Sequence, residues 1–179
     1  MAKRYAEITD EMQEFIARQK LFFVATAEAQ GRINLSPKGL DGLRVLDRNT
    51  VVWLNLTGSG NETAAHLRFS PRMTLMFCAF EGDPLILRLY GDARAIHHRD
   101  EEWTAHMGLF GSRPGARQII AMKVDLTQTS CGFGVPLYEF RGERDALPAW
   151  AQRKGEDGLK KYQEQKNTIS LDGKPTGIV

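Results

Sequence analysis

Between residues 21 and 140 the chain reads as one short extended segment after another. Helical pattern is confined to the two ends and to two brief stretches between. Strands that follow each other without crossover helices pair as antiparallel neighbours. The order therefore predicts a mainly β, α+β architecture, an antiparallel barrel with flanking helices, and fits it better than a βαβ sheet. Residues 21–27, rich in Phe and Val, form the first extended segment. Gly31 lies in the turn after it, and residues 33–36 open the second. Residues 43–46 and 50–56 make a further pairing joined by Asp47, Arg48 and Asn49. Residues 73–80 are almost continuously apolar, which predicts burial on both faces. Residues 85–95 and 118–126 read as strands, and 138–140 as a last short one. Helices are expected over residues 9–20, where Met12, Phe15 and Ile16 share a face behind a Thr9 or Asp10 cap, and over 64–69, 100–107 and 148–166. The remaining tail is expected to lie on a surface or a partner. We read residues 1–179 as a single domain, with a barrel core over 11–145 and a C-terminal helix and tail over 146–179.

A net charge of +2 across 179 residues, without a dense Lys/Arg block, is too mild for a nucleic-acid or anionic-membrane surface. No apolar run reaches the roughly 20 residues that cross a bilayer. No apolar signal-peptide core follows Met1, so a cytoplasmic location is expected. Cys78, inside the apolar run, reads as a small buried hydrophobe, and Cys131 as a loop residue. They have no CxxC spacing, and no disulfide is expected between them. His66, His97, His98 and His106 give no i,i+4 pair, so no zinc site is expected.

The segment richest in chemistry is Thr57-Gly58-Ser59-Gly60-Asn61-Glu62-Thr63, where an apolar strand empties into glycines and small polar residues ahead of an Ala-rich helix. Two readings stand side by side. Ser59 and Glu62 have the spacing of a capping box. Alternatively, the glycines admit a ligand to the free N–H groups and positive dipole end of the helix, where a phosphate fits. The segment lacks the Gly-Lys-Ser/Thr end of a Walker loop and the third glycine of a Rossmann turn, so nucleotide hydrolysis loses its support.

Six pieces in order, 23–27, 34–39, 52–55, 70–77, 89–93 and 132–140, together resemble the pyridoxamine 5'-phosphate oxidase-like FMN-binding split-barrel family over residues 11–145. The resemblance implies an antiparallel split barrel and a homodimer with FMN at the subunit interface. It implies that Asn34, Ser36, Pro37, Lys38 and Gly39 line the flavin ring. It further implies that Thr57, Gly58, Ser59, Gly60, Asn61, Glu62 and Thr63 surround the phosphate, and that Ser130, Cys131 and Gly132 reach the ring from the second subunit. Ser130 stands where the family's tryptophan is expected. Phe110 and residues 111–115 would help shape the substrate pocket. The positions of the oxidase's two phosphate-segment cations fall on Glu62 and Thr63, and Arg141-Gly142-Glu143-Arg144-Asp145 has no histidine. The family's FMN-dependent oxidoreductase chemistry is thus implied, and oxidation of pyridoxamine phosphate itself is not. No side chain is placed as a general base, and we name no catalytic residue. The alternative is a non-catalytic flavin, deazaflavin or haem-binding or redox-sensing module, and beyond that a plain dimeric scaffold.

Overall fold

The computed structural model describes residues 2–178. In chain order the elements are β1 (Lys3–Tyr5), α1 (Asp10–Arg18), β2 (Phe22–Thr26), β3 (Asn34–Lys38), β4 (Leu43–Asp47), β5 (Thr50–Leu56), α2 (Glu62–Leu67), β6 (Arg72–Cys78), β7 (Ile86–Ile96), α3 (Trp103–Met107), β8 (Ala116–Ser130) and α4 (Ala146–Lys166). The strands form one sheet in the order β3-β2-β6-β7-β8-β5-β4, with every pairing antiparallel. One edge of β8 runs along β7, while the other is divided between β5 and β1. The two ends of the order, β3 and β4, do not pair. The sheet nonetheless curls until the Lys38 ammonium of β3 lies 5.3 Å from the Trp53 ring of β5. This is the expected mainly β, split antiparallel barrel with helical flanks.

The core follows from alternation. Val24, Val51, Trp53, Leu75, Leu87, Leu89, Ile120 and Met122 project inward, and the apolar face of α1 (Met12, Phe15, Ile16) stops one end. Thr9 caps α1, its hydroxyl accepting the Met12 N–H at 3.4 Å. A second cluster, Val52, Leu54, Ile96, Phe110 and Ile119, covers the outer faces of β5 and β8. Burial on both faces thus belongs to β5. In β6, where it was expected, Met73, Leu75 and Phe77 are buried while Arg72 is exposed and Thr74 and Met76 are half-buried. The expected pocket residue Phe110 belongs to this outer cluster and is buried within it.

Other particulars differ from expectation or add to it. Residues 138–140 are not a strand: the Tyr138 N–H reaches Phe80 O at 2.8 Å, the Phe140 N–H goes to the Glu81 carboxylate, and no ladder forms. β8 extends to Ser130, and β1 adds a short strand to it. The tail is docked: Asn167, Ser170 and Thr176 are buried, and residues Ile169 and Pro175 bridge to form a small loop. α4 is broken at Gly155, where φ is 65° and ψ 175°. Cys78 is buried and Cys131 exposed, both as free thiols. Among the described residues no helix is long and apolar enough to cross a membrane, and no cluster of His, Cys, Asp and Glu could hold a metal.

Candidate functional site

The link between β5 and α2 is where the fold exposes backbone to a ligand. α2 begins at Glu62 with Asn61 as its N-cap residue, and no side chain caps it. The capping box is therefore not formed: Glu62 is the first helical residue, and its carboxylate instead accepts the Leu171 N–H at 3.1 Å. The first helical bond runs from Ala65 N–H to Asn61 O, which leaves the N–H groups of Glu62, Thr63 and Ala64 without helical partners.

Strand β3 faces this link. Its alternation puts Asn34, Ser36 and Lys38 on the half-buried face and exposes Leu35 and Pro37. The Asn34 amide donates to Thr63 Oγ1 at 3.1 Å and to Thr26 Oγ1 at 3.2 Å. Thr26 in turn bonds His66 Nδ1 at 3.0 Å, so α2 is fixed to β2 and β3 through side chains. Directly after Lys38 and Gly39 the chain turns through Leu40 and Asp41, at φ 59° and 51°. Such left-handed geometry is unfavourable for Leu by about 1 kcal/mol. Asp41 is held there by both nitrogens of the Arg44 fork at 2.8 Å.

The fourth contributor is Arg117 near the start of β8. It is only 3% exposed, and one guanidinium nitrogen donates to Gly60 O at 2.9 Å and to Asn167 Oδ1 at 2.7 Å. Its Nε is buried with no partner. Burial pulls its pKa down to about 10. Burial also depresses Lys38, to about 8, with Arg117 adding repulsion. Among the described residues neither cation forms an ion pair with a carboxylate. Behind them the buried amides of Asn55 and Gln118 bond each other at 3.1 Å. Asn55 Oδ1 and Gln118 Nε2 are left unpartnered.

These groups enclose a cavity of about 260 Å³ lined by Asn34, Ser36, Lys38, Asn55, Leu56, Arg117 and the link residues Gly58, Ser59, Gly60, Asn61, Glu62 and Thr63. Nine of the expected site residues thus meet. Pro37 points to the other face of β3. Gly39 borders a different cleft. Thr57 is buried beneath the link, its hydroxyl donating to Gly115 O at 2.9 Å and accepting from Gln163 at 2.8 Å. Ser130, Cys131 and Gly132 lie beside β7 at the far end of β8. Ser130 pairs with Ile86 there, and no residue of the three lines this cavity. A larger cavity of about 820 Å³, between α1 and the aromatic residues Phe80, Tyr138 and Phe140, takes no residue from β3 or the link. No histidine lines the corner cavity. The cavity thus gathers a buried arginine and a half-buried lysine without carboxylate partners, helix N–H groups without helical partners and two orphaned amide atoms, donors of the kind that suit an anion.

A family profile described as pyridoxamine 5'-phosphate oxidase matches residues 8–131. The pyridoxamine 5'-phosphate oxidase family protein ustO of Aspergillus flavus is 37% identical, over 96% of this chain and 76% of its own length. Among solved structures, HupZ of Group A Streptococcus is similar in fold at a TM-score of 0.57 and 23% identity, over 69% of this chain and 99% of that one. The FAD binding protein of Mycobacterium smegmatis is similar at a TM-score of 0.50 and 14% identity, over 70% of this chain and 97% of that one. With the barrel, the link and β3 disposed as described, the matches identify this chain as a member of the pyridoxamine 5'-phosphate oxidase family.

Proposed function

We propose that this chain is an FMN-binding flavoprotein that works as an oxidoreductase, with the FMN phosphate seated at the β5–α2 corner. The observation that carries the reading is the convergence of Lys38 and Arg117, both cationic and neither paired with a carboxylate, on the cavity opened by the Gly58–Thr63 link. Phosphate brings about 1.5 to 2 negative charges and three acceptor oxygens, and it would find donors in the two cations and in the α2 backbone. Glu62 lies in the same lining, but its carboxylate is engaged with the Leu171 N–H. The orphaned Asn55 oxygen suits a hydroxyl of the ribityl chain. A cavity of about 260 Å³ is too small for the whole of FMN, and its polar lining suits the phosphate and part of that chain. The ring would therefore lie outside it, on the side a second copy of the chain covers in a homodimer. In that arrangement Ser130, Cys131 and Gly132 would approach from the partner. The Mycobacterium smegmatis neighbour is named for binding FAD, which contains the same FMN phosphate.

Bound FMN would supply the electron transfer; the chain's residues bind, orient and shield it. We assign no side chain as a general base, and hydride transfer to a flavin needs none. Arg141, Glu143 and Arg144 are exposed, and the segment has no histidine to grip a vitamin phosphate, so pyridoxamine phosphate is not the substrate we propose. The direct test is titration of purified protein with FMN. Saturation at one flavin per chain in a dimer supports the reading, and a preparation that neither holds nor takes up FMN overturns it.

Lys38 gives this reading a pH signature. Its folded pKa of about 8 lies below the ordinary 10.5, and a neighbouring phosphate would raise it again, so FMN binding takes up a proton above pH 8. Affinity should fall as pH rises through about 8, and the Lys38→Met variant should lack that fall. Without ligand the sign reverses. Between about 8 and 10.5 the unfolded chain holds the extra proton, so stability attributable to Lys38 rises with pH in that window. Calorimetric titrations of both proteins at several pH values check the first claim, and urea melts check the second.

A further inference from the structure

The strongest unassigned feature is the way the C-terminal tail closes on the phosphate corner, beyond the end of the family match at residue 131. Asn167, immediately after α4, is fully buried, whereas side-chain amides are ordinarily exposed. Its Oδ1 accepts from Arg117 at 2.7 Å and its Nδ2 donates to Gly58 O at 3.0 Å. Its backbone carbonyl accepts from the Asn61 amide at 3.3 Å and from the Thr176 hydroxyl at 2.6 Å. One residue therefore grips the start of the link, its end and the buried cation opposite. The chain beyond is pinned in turn by the Glu62 carboxylate on Leu171 N–H and by the ion pair of Asp172 with Arg32.

We propose that Asn167 is a positioning residue of the FMN site and that the tail, residues 167–176, is the buckle that keeps Arg117 and the link in phosphate-accepting geometry. The proposal rests on the FMN reading above. A long side chain fixed before the ligand arrives does not have to be ordered during binding, which raises affinity. The chemistry of the anchor matters too. A neutral amide oxygen orients the guanidinium while leaving its charge available, whereas a carboxylate at the same place would pair with Arg117 and compete with the phosphate.

Asn167→Asp makes that exchange with little change of shape, and it also removes the donor to Gly58 O at the start of the link. The test compares the affinities of wild type and variant for FMN and for riboflavin, which has the same ring and ribityl chain without the phosphate. We expect FMN affinity to fall about tenfold or more, the size of a charge-assisted hydrogen bond, with riboflavin affinity unchanged. Thr176→Val removes only the hydroxyl on the Asn167 carbonyl, and it should give a smaller fall with the same selectivity. It carries the test if Asn167→Asp does not fold. Unchanged FMN affinity in the variants, or an equal fall for both flavins, overturns the tail's role while leaving the FMN reading intact. A wild type that binds neither flavin overturns both.

Discussion

Replacement of Arg117 by methionine is expected to weaken FMN binding by about a hundredfold, the largest single effect at this site. The magnitude is that of one or two charge-assisted hydrogen bonds made where water is excluded, each about 1.5–3 kcal/mol. Methionine fills similar space, so the loss should be electrostatic and not a collapse. Stability without ligand should change by a comparable amount at most. Gly60 O and Asn167 Oδ1 lose a donor, which costs about 1–3 kcal/mol per stranded acceptor. Removing a buried, unpaired cation offsets part of that cost. Fluorescence titration of FMN with wild type, Arg117→Met and Arg117→Lys checks the claim. Lysine should restore part of the affinity, as a point charge lacking the fork. Equal affinity across all three would place the phosphate elsewhere.

The second large effect concerns the barrel. Gly91→Ala is expected to destabilise the fold by about 3 kcal/mol or more, enough to lower soluble yield sharply. Gly91 sits at the bulge where the β7–β8 register shifts, and a Cβ there would stand 1.9 Å from the Lys123 carbonyl oxygen. The obstruction is main chain, and β7 is held between β6 and β8, so neither side can retreat without breaking ladder bonds. Gly134→Ala is the control, because nothing lies within 4 Å of that position. Urea melts of the two variants should separate widely, and matching midpoints would refute the packing argument.

Much of the barrel was legible because its strands obey local rules. Residues 22–26, 50–56 and 86–96 carry the Phe/Val/Ile/Leu pattern of strands, and Thr9 caps its helix as its side-chain chemistry suggests. The misses are places where a distant part of the chain decides. β1 is Lys-Arg-Tyr, with no alternation to read, and exists because β8 outlasts β5 and leaves an edge free. Tyr138 and Phe140 have strand-like composition, but no neighbouring strand is there to pair with them. The two-face burial assigned to 73–80 belongs to β5, since Phe110 and its cluster roof β5, β8 and the Ile96 end of β7 but take no residue from β6.

The site divides in the same way. The link was visible as a glycine-rich turn ahead of a helix, and Asn34, Ser36 and Lys38 came through the family resemblance, their shared half-buried face being a finding of the structure. Arg117 came through neither. A charged residue at the head of an apolar strand ordinarily reads as a solvated strand end, and only the tail lying over it makes it interior. Asn167 lies 50 residues from Arg117 and 106 from Asn61, and no local pattern announces contacts of that range. Glu62 read as a capping residue for a similar reason: its partner, Leu171, is 109 residues away.

Strand β3 stands at one end of the sheet order with Pro37 next to its last residue. Proline has no amide hydrogen, so this rim offers an arriving strand a broken row of bonds. Ile33 and Leu35 are exposed beside it and would otherwise invite end-to-end polymerisation. Copies of the chain should accordingly resist growing into fibrils through this border and meet instead through their side-chain surfaces.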